Sequence, residues 1–319
     1  MTIAELPDGY TVRPPESSDA EALFAMLAAY NSAVVGFADT TLEEVAYCIG
    51  RPGFDAANDG WLVLGDDGRM AGYATTRCVG DHDLIDVEVT SQYPEVAGWL
   101  VDRTMQRAQE MGRERGHAEV IADLFVYRAD EVLRTQLAGH DFATGTTYHR
   151  MRIDHTGPVA APDEPAGVQV RRGAFDEATR WAAHAVITEC FTGQFGWVET
   201  PRDDWFEALD DVPIFDWSQL TLLEVDGRMV GVCVCNDKFV ESDSCGHIGM
   251  LGVVEEFRGR GLAKYLLRHA FAVDAAAGRE GTILHVDTNN PTPALDLYLS
   301  VGMTPTVIFD GWRRVLPAV

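Results

Sequence analysis

The segment from His247 to Ala263 carries the residues best suited to chemistry. It reads HIGMLGVVEEFRGRGLA, and it is expected to join an apolar strand to an apolar helix. Gly259 and Gly261 let backbone N–H groups approach a ligand closely, and the helix N-terminus adds partial positive charge. Arg258 and Arg260 place cationic side chains beside them. The segment therefore predicts a site for an anion such as a pyrophosphate. A tight turn with surface arginines is the alternative.

Two other phosphate-binding motifs fit the chain poorly. A P-loop requires GxxxxGK[ST], which does not occur in the sequence. A dinucleotide-binding loop requires GxGxxG, and Lys264 stands where its third glycine would be. A predicted meander of strands before the loop also differs from the first unit of a dinucleotide-binding domain.

A second segment lies downstream of the strand ILHVD. Asn290, Ala294, Tyr298 and Gly302 recur there every four residues. This spacing places Ala294 and Tyr298 on one face of a helix and Gly302 at its C-terminal end. A tyrosine so placed can protonate a leaving group, or it can be a packed aromatic residue with a satisfied hydroxyl.

Together, the two segments resemble the acetyl-CoA-binding core of the GCN5-related N-acetyltransferases (GNAT). The resemblance rests on the pattern R-x-x-G-x-A, formed by Arg258, Gly261 and Ala263, and on N-x-x-x-A-x-x-x-Y-x-x-x-G from Asn290 to Gly302. It extends from Leu220 to Leu316. It implies acetyl-CoA as co-substrate and an acyltransferase of the EC 2.3.1 class, but it does not identify the acceptor.

The resemblance also implies roles for particular residues. The strand before the loop would splay from its neighbour to admit the pantetheine arm, and Tyr298 would protonate the leaving thiolate. The implied acetyl-CoA-binding residues are Leu251, Val253, Arg258, Gly259, Arg260, Gly261, Leu262, Ala263 and Asn290.

The base that removes a proton from the acceptor amine is predicted at His247. Members of the family often place a glutamate near this position, and the ordinary pKa of a histidine suits the task. A histidine facing solvent at a strand end is the alternative, and Glu241 and Asp243 are rival bases. No covalent acyl-enzyme is expected, because no Cys or Ser lies in an evident nucleophile context. Cys190 is the nearest to an exception.

The acceptor is predicted to bind at Cys190–Trp197, which reads CFTGQFGW, together with Trp205. Packing between the two halves of the chain is the alternative. Three acidic residues that follow could meet a cationic acceptor or form a solvated helix face; they are Asp203, Asp204 and Glu207.

The elements that must position these residues occur twice along the chain. Each half is expected to run β-α-(α)-β-β-β-α-β-α-β, with Asp-Gly turns in its hairpins. The predicted fold class is α/β with a mixed, mostly antiparallel sheet flanked by helices in each of two tandem GNAT-like domains. The Pro- and Gly-rich linker is placed at residues 157–167, between domains at 1–156 and 168–319.

The first half is predicted to have lost the site. Pro94 and Glu95 stand where phosphate-facing amides would be; proline lacks an N–H, and a carboxylate repels an anion. No tyrosine occurs at Thr135–Leu137, where the second motif would place it. This arrangement resembles the mycothiol synthases, tandem acetyltransferases whose C-terminal half is active, although no residue here fixes that substrate.

Composition narrows the partners. The 319 residues include 25 Lys and Arg against 50 Asp and Glu, a net charge of −25. Nucleic acids and anionic membranes are therefore unexpected, and a small cationic amine is favoured over a protein as substrate. The residues Met1–Tyr10 do not resemble a signal peptide, and six scattered cysteines suit a reduced, cytoplasmic protein.

No metal is expected, because no HExxH or HxxxH spacing occurs. Three alternatives stay open: a non-catalytic acyl-CoA-binding regulator, transfer of a longer acyl group, and transfer to a hydroxyl. The sequence leaves the oligomeric state open.

Overall fold

The computed structural model describes residues 5–78, 80–173, 176–210, 212 and 214–318, with the backbone alone at 207 and 208. The leading residues 1–4 of the segment tested for a signal peptide lie outside this range. The first half contains β1 (Tyr10–Arg13), α1 (Ala20–Val35), α2 (Leu42–Gly50), α3 (Ala56–Asp59), β2 (Gly60–Gly65), β3 (Met70–Cys78), β4 (Leu84–Thr90), α4 (Pro94–Glu114), β5 (Glu119–Tyr127), α5 (Glu131–Gly139) and β6 (Ala143–Asp154).

The second half repeats this order with one short helix moved. It contains β7 (Gln169–Arg172), α6 (Glu177–Phe191), α7 (Arg202–Asp210), β8 (Leu220–Val225), β9 (Arg228–Asn236), α8 (Val240–Asp243), β10 (Cys245–Val253), α9 (Leu262–Ala276), β11 (Gly281–Asp287), α10 (Ala294–Ser300) and β12 (Thr304–Pro317). The predicted fold class, α/β with a mixed, mostly antiparallel sheet flanked by helices, is confirmed. No helix or strand lies between Asp154 and Gln169, where the linker was expected.

The compact units of the fold do not coincide with the two sequence halves. Unit 1 comprises Met1–Thr147 and Ile308–Val319, and unit 2 comprises Tyr148–Val307. The sequence placed the boundary at a linker after residue 156. The difference arises because each half ends in a strand that joins the sheet of the other unit.

In unit 1, the strand order is β1-β2-β3-β4-β5-β12. Only β4 and β5 are parallel, because α4 forms the crossover between them. The last strand of the chain pairs antiparallel with β5, from Phe309 opposite Tyr127 to Pro317 opposite Glu119. Leu316 is 4% exposed and belongs to the apolar core of this unit. The end of the chain thus completes the first sheet.

In unit 2, the strand order is β6-β11-β10-β9-β8-β7. Here β10 and β11 are the parallel pair, with α9 as the crossover. The closing strand of the first sequence half, β6, pairs antiparallel with β11, from Tyr148 opposite Asp287 to Asp154 opposite Gly281. Met151 on β6 is fully buried in the core of unit 2. The first half therefore supplies a core strand to the second unit.

Among the described residues, none of the helices combines the length and the apolar composition that spanning a membrane requires.

The exchange of closing strands predicts that core mutations act on the unit that contains the side chain. Met151→Ala should destabilise unit 2 by about 2–5 kcal/mol, the usual cost of removing a large buried side chain. Leu316→Ala should do the same to unit 1. Hydrogen exchange measured by mass spectrometry should show faster exchange in α9 for Met151→Ala and in α4 for Leu316→Ala. The reverse pattern would contradict the assignment of β6 to unit 2 and of β12 to unit 1.

Candidate functional site

The cavity of unit 2 opens where its two parallel strands stop pairing. Strands β10 and β11 pair from Cys245 opposite Gly281 to Ile248 opposite Leu284. Both strands continue beyond these residues, and their C-terminal parts line a cavity of about 610 Å³. Cavities of this size are typical of small-molecule sites. The separated strands therefore form the two sides of a ligand site.

A bulge and a close helix contact shape the β10 side of the cavity. The pairing of β10 with β9 shifts between Ile248 and Met250, which places Gly249 at an irregular position. A Cβ atom at Gly252 would lie 2.8 Å from Cβ of Cys190. Glycine at 252 thus allows α6 to pack directly on the strand beside the cavity.

The turn that follows β10 presents free amide groups. Gly259 and Gly261 have φ values of 75° and 79°, a conformation that favours glycine. Among the described residues, the six amides from Gly259 to Lys264 donate to no backbone carbonyl. They lie at the N-terminus of the 15-residue helix α9, where the helix dipole favours anions. The turn is therefore built to receive a phosphate group.

The two arginines of the turn have different positions. Arg258 Nε donates to the carbonyl of Val253 at 3.0 Å, so its side chain ties the turn to the end of β10. Arg260 lies 4.6 Å from the ring centre of Phe257 and is absent from the cavity lining.

The tyrosine of the second motif lies in the cavity wall. Tyr298 is on α10 and is 7% exposed. Its carbonyl accepts the N–H of Met303 at 3.1 Å, and Gly302 ends the helix with a φ of 95°. Burial, and secondarily the nearby Cys233, raises the pKa of Tyr298. The phenol therefore keeps its proton at neutral pH and can donate it.

The predicted acceptor segment also reaches the cavity. Phe191 and Trp197 stack with ring centres 5.7 Å apart, and both line the cavity. Burial raises the pKa of Cys190 to about 11, so its thiol is not a ready nucleophile at neutral pH. Trp205 instead packs against Trp217 in the core of unit 2. Asp203 is exposed on α7, and the side chain of Glu207 lies outside the described part of the chain.

The sequence analysis missed His285, Asp287 and Tyr148, which are among the residues that line the cavity. His285 and Asp287 alternate along β11 towards its C-terminal end, and Tyr148 lies opposite Asp287 on β6. The Tyr148 hydroxyl donates to the carbonyl of Phe195 at 3.4 Å. The position of polar residues at the end of a strand could have indicated His285 and Asp287. No sequence signal indicated Tyr148, because the strand exchange brings it from the other half.

The position of His247 argues against its predicted role as the base. It is 9% exposed and absent from the cavity lining, and its Nδ1 lies 2.9 Å from Oδ1 of Asn236. Its ring packs edge-on against Phe239. Burial, reinforced by His285, Lys238 and Arg150, lowers its pKa well below the ordinary value. The sequence did not reveal that the side chain of His247 is covered, and its catalytic role stays a prediction.

The rival bases also lie outside the cavity lining. Asp243 pairs with Arg150 at 3.0 Å and with Arg152 at 3.5 Å, and Glu241 is exposed on α8.

The structure brings most of the predicted site residues together. Nine of them line the same cavity: Leu251, Val253, Arg258, Gly259, Gly261, Leu262, Ala263, Asn290 and Tyr298. His247 and Arg260 do not.

The equivalent place in unit 1 has a different construction. Only three residues, Ser91 to Tyr93, separate β4 from α4. The Tyr93 N–H donates to Ser91 Oγ at 3.1 Å, and Pro94 begins the helix without an N–H. On α5, the carbonyl of the fully buried Leu137 accepts the N–H of Phe142, as that of Tyr298 accepts the N–H of Met303. Unit 1 thus has leucine in place of the tyrosine and lacks the long turn.

Comparison with known proteins agrees with this geometry. Residues 181–303 match the model of the acetyltransferase (GNAT) family. The mycothiol acetyltransferase of Thermobispora bispora is 30% identical over 182 residues, which cover 56% of this chain and 60% of that relative. The chain thus spans less than two thirds of the length of this relative.

Solved structures share the whole fold. A GCN5-related N-acetyltransferase from Sphaerobacter thermophilus is similar with a TM-score of 0.81 at 24% identity, covering 98% of this chain and 97% of that one. A tandem GNAT protein from the clavulanic acid biosynthesis pathway is similar with a TM-score of 0.70 at 14% identity, covering 97% of this chain and 99% of that one. The chain therefore has the fold of these two structures, and within it residues 181–303 match the acetyltransferase (GNAT) family model.

The buried histidines predict a loss of stability in acid. Burial, followed by Lys238 and Arg150, lowers the pKa of His285 to about 3. A histidine in the unfolded chain has a pKa of about 6.5. Below this pH the unfolded chain therefore binds more protons than the folded one, and the free energy of unfolding decreases as the pH is lowered. His285→Asn should reduce the loss between pH 7.5 and 5 by about 2 kcal/mol. Urea unfolding at both pH values measures the loss of stability. Equal losses in the wild type and in His285→Asn would contradict the assignment of this loss to His285.

Proposed function

We propose that the protein is an acetyl-CoA-dependent N-acetyltransferase whose single active site lies in unit 2. The acceptor is a primary amine, and it attacks the thioester directly in a ternary complex. The observation that carries the proposal is the convergence on one cavity of the separated strands, the amide-rich turn and Tyr298.

The residues present suit an acyl-CoA. Gly259 to Lys264 offer amides at the N-terminus of α9, which favours the negative charge of a pyrophosphate. Arg258 and Lys264 also line the cavity and add positive charge. The separated ends of β10 and β11 leave space for an extended arm between two strands.

Tyr298 is proposed to assist departure of the thiolate. As the amine nitrogen forms a bond to the acyl carbon, it releases a proton to solvent, the carbon–sulfur bond breaks and the sulfur gains negative charge. A neutral phenol nearby can supply the proton that the sulfur takes up. A tyrosine is protonated at neutral pH, and burial, which raises the pKa of Tyr298, keeps it in this form. Direct transfer is favoured because the cavity cysteine, Cys190, is held as a thiol.

Unit 1 is proposed to bind no acyl-CoA. Its short turn offers too few amides, since Ser91 occupies that of Tyr93 and Pro94 has none. Glu95 lies in the first turn of α4 and accepts a hydrogen bond from Tyr10, which adds negative charge where an anion would bind. We expect one acyl-CoA per chain.

A cofactor-binding test uses a charge reversal with a matched control. In Gly261→Glu, the new carboxylate faces the amides of α9 and should abolish acetyl-CoA binding, measured by calorimetry. Gly278→Glu is the control, because Gly278 has a φ of 77° and equally open surroundings but lies beyond the C-terminus of α9. It should bind one equivalent like the wild type.

Two equivalents in the wild type would refute the assignment of unit 1. No binding at all would refute the transferase proposal.

Removal of the Tyr298 hydroxyl tests catalysis separately from binding. Tyr298→Phe should lower kcat about 100-fold, as expected for loss of a general acid, and change the acetyl-CoA Kd less than about threefold. Tyr265→Phe is the control; Tyr265 is equally buried and hydrogen-bonded to Arg172, but it lies outside the cavity lining. Steady-state kinetics with a panel of amines measures both.

The same kinetics distinguish the other candidate activities. Tight acetyl-CoA binding without turnover on amines or alcohols would favour a binding protein. Faster turnover with longer acyl-CoAs, or with alcohols, would change the donor or the acceptor of the proposal.

A further inference from the structure

The cavity has one side of distinct composition, formed by residues outside the acyl-CoA motifs. Asp287 on β11 and Tyr148 on β6 are directly opposite each other, so their side chains share a face of the sheet. Phe191, Phe195 and Trp197 line the cavity from the end of α6 and the loop that follows. This acceptor wall, defined as Tyr148, Asp287, Phe191, Phe195 and Trp197, contains four aromatic rings and one carboxylate.

Two hydrogen bonds hold the loop of the acceptor wall, residues 192–197, against β6 and the segment after β11. The Tyr148 hydroxyl donates to the carbonyl of Phe195 at 3.4 Å. Asn290 Nδ2 donates to Oε1 of Gln194 at 3.4 Å, which joins the same loop to the segment after β11. The loop is therefore attached on both sides of Asp287, and the rings are positioned before any ligand arrives.

The acceptor wall and the turn before α9 contribute opposite charges to the cavity. Among the described lining residues, Asp287 is the only carboxylate, and it is 7% exposed. The cationic side chains Arg258 and Lys264 come instead from the turn and first residues of α9. An anionic donor would be favoured beside the cationic residues, and a cationic acceptor beside Asp287.

A backbone hydrogen bond orients the carboxylate of Asp287 in the cavity wall. Its Oδ1 accepts the N–H of Asn289 at 2.8 Å. An ammonium beside it would make charge-assisted hydrogen bonds in an enclosed site. Faces of Trp and Tyr rings also attract such a cation.

We propose that the acceptor wall selects a primary amine carried on an aromatic or branched apolar body, with Asp287 binding the ammonium. This inference rests on the proposed acetyltransferase function and specifies its acceptor. A sugar amine would bury hydroxyls among rings that offer them few partners, which is costly. A polyamine would place several charges opposite a single carboxylate.

The decisive test compares an amine with its neutral analogue. Binding of 2-phenylethylamine and 2-phenylethanol is measured by calorimetry on the full chain saturated with CoA. Asp287→Asn keeps an oxygen for Asn289 and removes the charge. It should weaken the amine about 10- to 100-fold, the usual worth of a charged hydrogen bond, and the alcohol less than about threefold. Asp203→Asn, exposed on α7 outside the cavity, should change neither.

A second comparison addresses the body of the acceptor. Wild-type kcat/KM should be higher for 2-phenylethylamine than for glucosamine or spermidine, and Trp197→Leu should reduce this preference about tenfold, within the range of a lost aromatic contact. A preference for glucosamine or spermidine would overturn the inference. So would equal weakening of amine and alcohol in Asp287→Asn, because that result indicates a structural role.

The outcomes also separate this inference from the proposed function. Amine binding that depends on Asp287, without acetyl transfer, would refute the proposed acetyltransferase function but support the proposed amine-binding role of the acceptor wall. Acetyl transfer that is insensitive to Asp287→Asn would support the acetyltransferase function but refute the role of Asp287 in binding the amine. Absence of amine binding would refute the proposed role of the acceptor wall directly.

Discussion

The early end of pairing between β10 and β11 is the constraint on which the site depends. Parallel strands that stay paired leave no space between them, but these separate after Ile248 and Leu284 while each keeps its outer neighbour. The hydrogen bonds to β9 and β6 hold the two strands on either side of the opening. Everything else is arranged around it: the turn at its mouth, Tyr298 in its wall, and the aromatic loop opposite.

The parallel strands of unit 1 also separate, but their surroundings differ from those in unit 2. They pair over a short stretch, from Leu84 opposite Ile121 to Asp86 opposite Asp123. The difference lies in what surrounds the strands, since apolar side chains such as Val87, Val126 and Leu137 form a continuous core there. Burying apolar surface stabilises the fold at each such position, and the same fold thus serves either packing or binding.

The sequence predicted the local parts of the site well and the long-range parts poorly. The turn at Gly259 and Gly261 and the helix of Tyr298 follow from short-range spacing, and the structure has both. The burial of His247 was not predicted, because its environment depends on Phe239 and Asn236, which no periodicity places beside it. Tyr148 was missed because strand pairing between distant segments leaves no local pattern. Asp287 lies at the end of a predicted strand, where a polar residue can indicate a site, but it belongs to neither of the two motifs.

The exchange of closing strands also bears on synthesis at the ribosome. Arg313 and Asp123 form an ion pair in unit 1 although they are 190 residues apart in the chain. The edge of β5 therefore stays open during synthesis until Phe309–Pro317 have left the exit tunnel. An open strand edge is a template for aggregation, and contacts this distant slow folding. A cut after residue 156 would separate both β6 and β12 from the strands with which they pair.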